Sequence, residues 1–377
     1  MNDRLRVGIV GLGFGATVHL PAFLETPGVE VTAVADSGSG NAQRVAHAFG
    51  ILNAFGDWES LLKNNRIDAL SVATPPVYQA EIVCAGLAAG KHVLCEKPFG
   101  LNLDDAIRMF KSAQESKRVN AVNFEYRMEP GILELKQHIA SGAIGKVWRI
   151  NVDWFTKGRS SPTSSWSWQH DADLGGGVLD NYGSHILDYL EWIGGSLIAK
   201  VFAKASVVRR YRQDNQGQQR EVTAEDSCDL VCEFESGGVS NLSFSNSYPY
   251  TPGHRIEVYG DRGRLVYVHE APFTPDKAQL CIETEAGGSL RLLQLQTDPP
   301  AAALDPRAFS FRRLAARFVA AISGSHILDL PDFQCGLRVR TILEAARRSL
   351  QCRKQVVVSG IRFLSCEDMG LRRVLPS

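Results

Sequence analysis

The residues of this chain best suited to chemistry stand where short apolar runs stop. The first run, Leu5 to Val10, opens into Gly11-Leu12-Gly13-Phe14-Gly15-Ala16, which reads as a buried strand, a glycine turn and a helix start. That order of elements holds a dinucleotide pyrophosphate. Gly11 permits the tight turn, Gly13 lets the backbone come close to the phosphates, and Ala16, with Gly15 beside it, is the third small position. The phosphates then face a helix N-terminus, whose free N–H groups favour anions. The second run, Val29 to Ala35, ends in Asp36, 20 residues beyond Ala16. A carboxylate there accepts both ribose hydroxyls of the adenosine half. It also repels a 2′-phosphate, and Ser37-Gly38-Ser39 brings no arginine, with Arg44 the next cation along the chain. NAD is therefore the expected cofactor and NADP the second choice.

Two further runs stop on unusual residues, Ile67 to Ala73 at Thr74-Pro75-Pro76 and His92 to Cys95 at Glu96-Lys97-Pro98. In an open parallel sheet, ligands gather outside the carboxyl ends of the strands. Phe14, Ser37, Ala73, Thr74, Pro75, Glu96 and Lys97 are thus expected around the cofactor with the glycines and Asp36. A lysine beside a nicotinamide can carry the proton that moves when an alcohol becomes a carbonyl, provided burial draws its pKa toward neutrality. The plainer alternative is a surface lysine next to a strand-ending proline.

A second constellation runs Gly175-Gly176-Gly177-Val178-Leu179-Asp180-Asn181-Tyr182-Gly183-Ser184-His185. Val178, Leu179, Tyr182, Ile186, Tyr189, Leu190 and Ile193 recur at helical spacing and predict a core-facing helix from Val178 to Ile193. Asn181, His185, Asp188 and Trp192 form an adjoining stripe, which puts Asn181 one turn before His185 on a shared face, where its carboxamide can hold the imidazole by a hydrogen bond. A lone histidine there is more often a packing residue. The three glycines shift that balance, because they expose backbone N–H groups to something that approaches closely. Before them, Thr156 to Leu174 reads as a structureless loop with Lys157, Arg159, Trp166, Trp168 and His170, of a length used for lids and binding loops. Tryptophan faces make platforms for sugar rings; packing under a sheet edge or at a subunit contact is the other reading of Trp166 and Trp168.

The elements that must position these residues fall into two halves. Up to Tyr126, strand and helix patterns alternate, which predicts α/β architecture, a doubly wound parallel sheet. From 127 to 377 the pattern becomes α+β: a large, mostly antiparallel open sheet with helices on one face. Its strands are expected at Lys146 to Asp153, Ala199 to Val208, Asp229 to Phe234, Val239 to Phe244, Arg255 to Tyr259, Leu265 to His269, Leu280 to Thr284 and Ser289 to Leu295. Ser236-Gly237-Gly238, Asp261-Arg262-Gly263 and Ala286-Gly287-Gly288 signal hairpins between them. Late helices are expected at Ala308 to Ile322 and Asp332 to Ser349. At 377 residues two domains are the natural division. With Lys+Arg 41 against Asp+Glu 41, net charge gives no reason to expect nucleic acid or an anionic membrane as partner. The start, MNDRLRVGIV, has no leader pattern, and a cytoplasmic location is expected. The cysteines, Cys84, Cys95, Cys228, Cys232, Cys281, Cys335, Cys352 and Cys366, form no Cys-x-x-Cys pair, so no metal site is expected.

The fingerprint, Ala73-Thr74-Pro75, Gly90-Lys91-His92-Val93-Leu94-Cys95-Glu96-Lys97-Pro98, Gly142-Ala143-Ile144-Gly145-Lys146-Val147 and the Gly175 to His185 segment together resemble the glucose-fructose oxidoreductase / inositol dehydrogenase (Gfo/Idh/MocA) family. The resemblance implies an N-terminal Rossmann domain (1–126) that binds NAD or NADP. It further implies a C-terminal domain (127–377) that binds substrate and buries its outer sheet face between subunits, as a homodimer or homotetramer. By position, Lys97 matches the lysine that contacts nicotinamide and substrate, and His185 the catalytic histidine. Members similar to inositol dehydrogenase have Asp one turn before that histidine, where this chain has Asn181 with Asp180 alongside; Lys97 is accordingly expected to be the principal proton carrier and His185 auxiliary. Pro76 replaces a frequent Asn and Gln79 a frequent His, both near the expected nicotinamide ribose. The implied activity is hydride transfer between nicotinamide and a secondary alcohol or ketone of a sugar, cyclitol or sugar derivative, with Lys97, Trp166, Trp168, Asn181, Tyr182 and His185 at the substrate. Two alternatives of the same fold are an NAD-dependent glycosidase and a non-catalytic NAD(P)-binding sensor; joint retention of Lys97 and His185 argues against the sensor.

Overall fold

Apolar runs of four to seven residues bounded by Gly, Pro or Asp form six parallel strands. They are β1 (Leu5–Val10), β2 (Val29–Ala35), β3 (Asn53–Phe55), β4 (Ala69–Val72), β5 (His92–Cys95) and β6 (Asn120–Val122), β3 and β6 being cut to three residues each. In this computed structural model, which describes residues 4–358 apart from 65, 162, 251, 272, 285–287 and 297–304, they lie in the order β3-β2-β1-β4-β5-β6. Strand order reverses between β1 and β4, so the crevice for a dinucleotide opens there. Val7, Ile9, Leu70, Val72, Val93 and Leu94 are buried, as strands covered on both faces require. One face is covered by the helices Pro76–Ala88 and Leu103–Ser116. The other is covered by a helix from late in the chain, Arg307–Ile322, whose Phe311, Leu314 and Phe318 pack with Val7, Ile9 and Phe23. The last long helix, Phe333–Cys352, lies against Leu103–Ser116 and β6 on one side and the second sheet on the other. Both late helices thus return to the first sheet.

The second sheet has nine strands: β7 (Val147–Phe155), β8 (Ile198–Ser206), β11 (Ser227–Phe234), β12 (Val239–Ser245), β13 (Gly253–Gly260), β14 (Arg264–His269), β15 (Ala278–Glu283), β16 (Arg291–Leu293) and β17 (Val356–Val357). Their order is β16-β15-β14-β13-β7-β12-β11-β8-β17, antiparallel throughout except for the β7–β12 pair. A separate hairpin of β9 (Tyr211–Gln213) and β10 (Gln219–Glu221) stands apart. The inner face, with Val152, Leu242, Phe244, Ile256 and Tyr267, is buried against helices including Pro130–Ala140 and Ser184–Gly194.

Three sequence expectations change. Phe234, Leu242 and Phe244 all turn inward, and only Val231 of the four apolar residues expected across both faces is exposed, paired with exposed Phe202. The outer row Phe202, Val231, Asn241, Asn151, Glu257, Val266 is mixed rather than uniformly apolar. The helix Pro130–Ala140, β3 and the β9–β10 hairpin were not signalled by apolar periodicity, and Thr156 to Leu174 carries short 3₁₀ turns at Trp168–His170 and Ala172–Leu174. Cys366 and Ala286-Gly287 of the third hairpin signal lie outside the described residues. No helix among the described residues is long and apolar enough to cross a membrane.

Candidate active site

The carboxyl ends of β1, β2, β4 and β5 open into a cleft of about 1640 Å³ whose far wall belongs to the second sheet and its loops. Gly11 has φ +92°, and a Cβ there would lie 2.5 Å from the Ala73 carbonyl oxygen. That glycine is required by the turn. Above Gly13, by contrast, a Cβ would meet nothing within 4 Å, which leaves its backbone open to a ligand. Gly15 serves the interior: a Cβ would lie 3.1 Å from the Ala73 Cβ and 3.2 Å from Ile9, so it lets the helix sit close on the sheet. Gly15 and Ala16 are accordingly off the cleft wall, while Gly11, Gly13, Phe14, Asp36, Ser37, Ala73, Thr74, Pro75, Glu96 and Lys97 are on it. The Asp36 carboxylate closes its own turn, accepting from Gly38 N at 2.9 Å, Ser39 Oγ at 2.7 Å and Ala42 N at 3.0 Å. Its slight burial opposes ionisation, but these bonds outweigh that and hold its pKa below the usual carboxylate value. An open glycine backbone and a fixed carboxylate at the ends of adjacent strands fit the pyrophosphate and the adenosine ribose of NAD.

Lys97 is brought to the second half of the chain. Its Nζ donates to Asn181 Oδ1 at 2.6 Å and to the Asn181 carbonyl at 3.3 Å. Burial pulls its pKa down, opposed by the charges of Glu96 and Glu125 and aided by Arg307 and Arg159. Glu96 is committed elsewhere: its Oε1 takes hydrogen bonds from His19 Nε2 at 2.8 Å and from Asn123. Gln79 spans the loop after Lys97, donating to the Glu96 carbonyl at 3.0 Å and accepting from Gly100 N at 2.8 Å, so it shapes that loop.

His185 is buried and held by aromatic rings, edge-on to Tyr126 with centroids 4.7 Å apart and 6.2 Å from Phe124 and Trp154. The expected Asn181–His185 hydrogen bond is not formed. The chain from Leu179 to Gly183 is a π-turn, which breaks the i, i+4 phase and delivers the Asn181 side chain to Lys97. The carboxylate facing His185 is instead Glu125, with Oε1 3.9 Å from Nε2. Asp180 points into the core, where Arg340 at 2.6 Å and Arg347 bind it. Burial, with Lys97 and His254 nearby, pushes the pKa of His185 well below the ordinary value, so its imidazole is neutral.

The three glycines admit the protein itself. A Cβ at Gly175 would lie 3.0 Å from Pro76, one at Gly176 2.6 Å from the Gln169 and Asp171 carbonyls, and one at Gly177 inside the Glu225 carboxylate. Their N–H groups are spent on Ala172, Asp171 and Gln169 carbonyls, correcting the expectation that they wait for a ligand. Trp168 and Tyr182 line the cleft, and Tyr182 stacks on Trp154 at 4.3 Å with its hydroxyl 2.7 Å from Thr156 Oγ1. Trp166 lies off the cleft wall, under the Arg220 guanidinium at 5.0 Å, its indole donating to the Glu221 carbonyl at 3.1 Å. Lys157 and Arg159 of the preceding loop are also on the wall, as are Glu125, Tyr126, Trp154 and Arg307, which no motif marked.

Residues 5–124 match the Gfo/Idh/MocA oxidoreductase family, NAD-binding Rossmann fold, and residues 132–266 match the Gfo/Idh/MocA C-terminal domain. The chain belongs to the Gfo/Idh/MocA oxidoreductase family. Among its relatives in that family, an uncharacterized oxidoreductase of Synechocystis sp. is 30% identical over 267 residues, 70% of this chain and 72% of the relative. The myo-inositol 2-dehydrogenase of Thermotoga maritima is 26% identical over 261 residues, 69% of this chain and 74% of the relative. Levoglucosan dehydrogenase in complex with NADH and L-sorbose shares the Gfo/Idh/MocA fold with a TM-score of 0.84 at 24% identity, covering 94% of this chain and 99% of that one.

Proposed function

We propose that this Gfo/Idh/MocA protein is an NAD-dependent dehydrogenase that oxidises a secondary alcohol of a sugar or cyclitol, or reduces the matching ketone. The observation that carries this reading is Lys97, a half-buried lysine whose amine is fixed by Asn181 in the same cleft as Gly13 and Asp36. NAD held along that strand end supplies the hydride acceptor. Lys97, drawn toward its neutral form by burial, takes the proton from the reacting hydroxyl at Nζ. Asn181 keeps Nζ in place without adding a charge. Trp168 and Tyr182 offer flat faces to a ring, and His185 acts as the auxiliary polar group. The relatives that act on myo-inositol and bind L-sorbose support the substrate class.

In this reading residues 1–126 hold the cofactor and 127–377 the substrate, with the helices Arg307–Ile322 and Phe333–Cys352 tying the two together. Exposed Phe202, Val231 and Leu292 on the outer sheet face are covered by a second copy of the chain. Light scattering at micromolar concentration is expected to find a dimer or tetramer; a monomer refutes that assembly. The activity itself is tested by screening sugars, sugar acids and cyclitols for NADH formation. A reading in which NAD binds but no member of any of these classes is oxidised, and no matching ketone is reduced, abandons the dehydrogenase.

A further inference from the structure

Among the described residues of the cleft wall, Glu125 is a buried carboxyl with no hydrogen bond to another residue. Its Oε2 lacks a partner, as does Nδ1 of the facing His185, and the two side chains meet only through the 3.9 Å approach of Oε1 to Nε2. Buried polar groups left open at a cleft wall are uncommon and ask for an explanation. The other carboxylates beside it are engaged, Asp180 by Arg340 and Arg347 and Glu96 by His19 and Asn123, and the Asn181 oxygen is taken by Lys97. The imidazole is held by T-shaped contacts with Phe124 and Tyr126 and a tilted one with Trp154, and these contacts do not select a tautomer.

We propose that Glu125 is a positioning residue for the reaction, its carboxyl deciding which ring nitrogen of His185 carries the proton and so which hydrogen-bonding polarity the imidazole presents at the cleft wall. The inference rests on the reading of this cleft as a dehydrogenase site. An ionised Glu125 accepts from Nε2–H and leaves Nδ1 with its lone pair; a protonated Glu125 donates to Nε2 and places the hydrogen on Nδ1. No net proton is gained by the imidazole in either state. The separation of 3.9 Å closes by a small side-chain shift or through one bridging oxygen, as catalytic hydrogen bonds that are long in the free protein commonly do.

The surroundings place the change near neutral pH. Burial and the Glu96 charge push Glu125 up to about 8, against the pull of Lys97 and Arg307. On the histidine side, burial, Lys97 and His254 keep the ring uncharged over the same range, and the Tyr126 phenol beside both stays protonated. Below that point the pair is Glu125–COOH with Nδ1–H, and above it Glu125 carboxylate with Nε2–H.

The test is imidazole ¹⁵N NMR of the full-length protein from pH 6 to 10, free and with NAD, the His185 signal being assigned by its loss in His185→Asn. The wild type is expected to show the two ring nitrogens exchanging their bare and protonated shifts, with the tautomer ratio changing about tenfold or more. Glu125→Gln is expected to abolish that step while NAD still binds. A wild-type ring that keeps one tautomer throughout overturns the proposal, and so does a step that persists in Glu125→Gln. Because no substrate is present, failure of the sugar screen would leave this result standing, and the two readings fail separately.

Discussion

Asn181→Asp puts a carboxylate where the carboxamide oxygen now stands, 2.6 Å from Lys97 Nζ. Two unit charges at that distance attract by about 6 kcal/mol at an effective dielectric constant near 20. Burying the new carboxylate takes back several kcal/mol. A remainder of about 1.5–3 kcal/mol raises the pKa of Lys97 by about one to two units. The sign is fixed: the wild-type lysine is drawn down by burial, and the added charge returns it toward the ammonium form. Alcohol oxidation needs the neutral amine, so its rise with pH moves upward by the same one to two units, and oxidation at pH 7 falls about 10- to 100-fold. Ketone reduction, which uses the ammonium, keeps its rate over that interval. The assay is kcat/KM in both directions from pH 6 to 10, with NAD affinity measured separately by calorimetry. A variant with intact NAD binding whose oxidation profile stays in place, or moves to lower pH, refutes the assignment of Lys97 as the proton carrier.

Further changes probe the rest of the site. Asp36→Ala is expected to weaken NAD binding by about 1–3 kcal/mol through loss of charge-assisted bonds to the ribose, read by calorimetry; tighter binding of NADP than NAD by the unmodified protein contradicts the role given to Asp36. Lys97→Met is expected to lower turnover at least about 100-fold with little change in NAD affinity, and retention of most turnover would leave His185 as the base. Arg340→Met strands Asp180 and the Phe99 and Gly100 carbonyls it now serves, and a loss of about 3–5 kcal/mol is expected in denaturant unfolding; a loss below about 1 kcal/mol would mean that Arg347 alone satisfies Asp180.

What the sequence made legible was local. Gly11 and Gly13 fall in a strand-turn-helix whose parts are contiguous, and Asp36 and Lys97 each end an apolar run, so their place at the crevice followed from parallel-sheet topology. Contacts formed across the chain were not legible. Arg307 reaches the cleft from the start of a helix some 290 residues beyond the fingerprint, and its place depends on how that helix docks on the first sheet. Glu125 follows a strand of only three residues and belongs to no periodic pattern. Asn181 was misplaced by assuming an α-helical phase through a stretch that is a π-turn. Trp166 was drawn away by a short hairpin whose strands, with exposed polar residues such as Arg220, carry no apolar alternation to announce them. The glycine triplet was seen as a site of close approach, and the approaching groups proved to be Pro76, two carbonyls and Glu225.

Direct transfer of a hydride tests the central claim most sharply. With a substrate from the screen carrying deuterium at the carbon to be oxidised, mass spectrometry of the nucleotide after turnover is expected to find one deuterium in NADH, formed in equal amount to the ketone product, with both products forming at least about 100-fold more slowly in Lys97→Met. Cleavage of a glycoside with no net NADH, or NADH that carries no deuterium, would contradict the account.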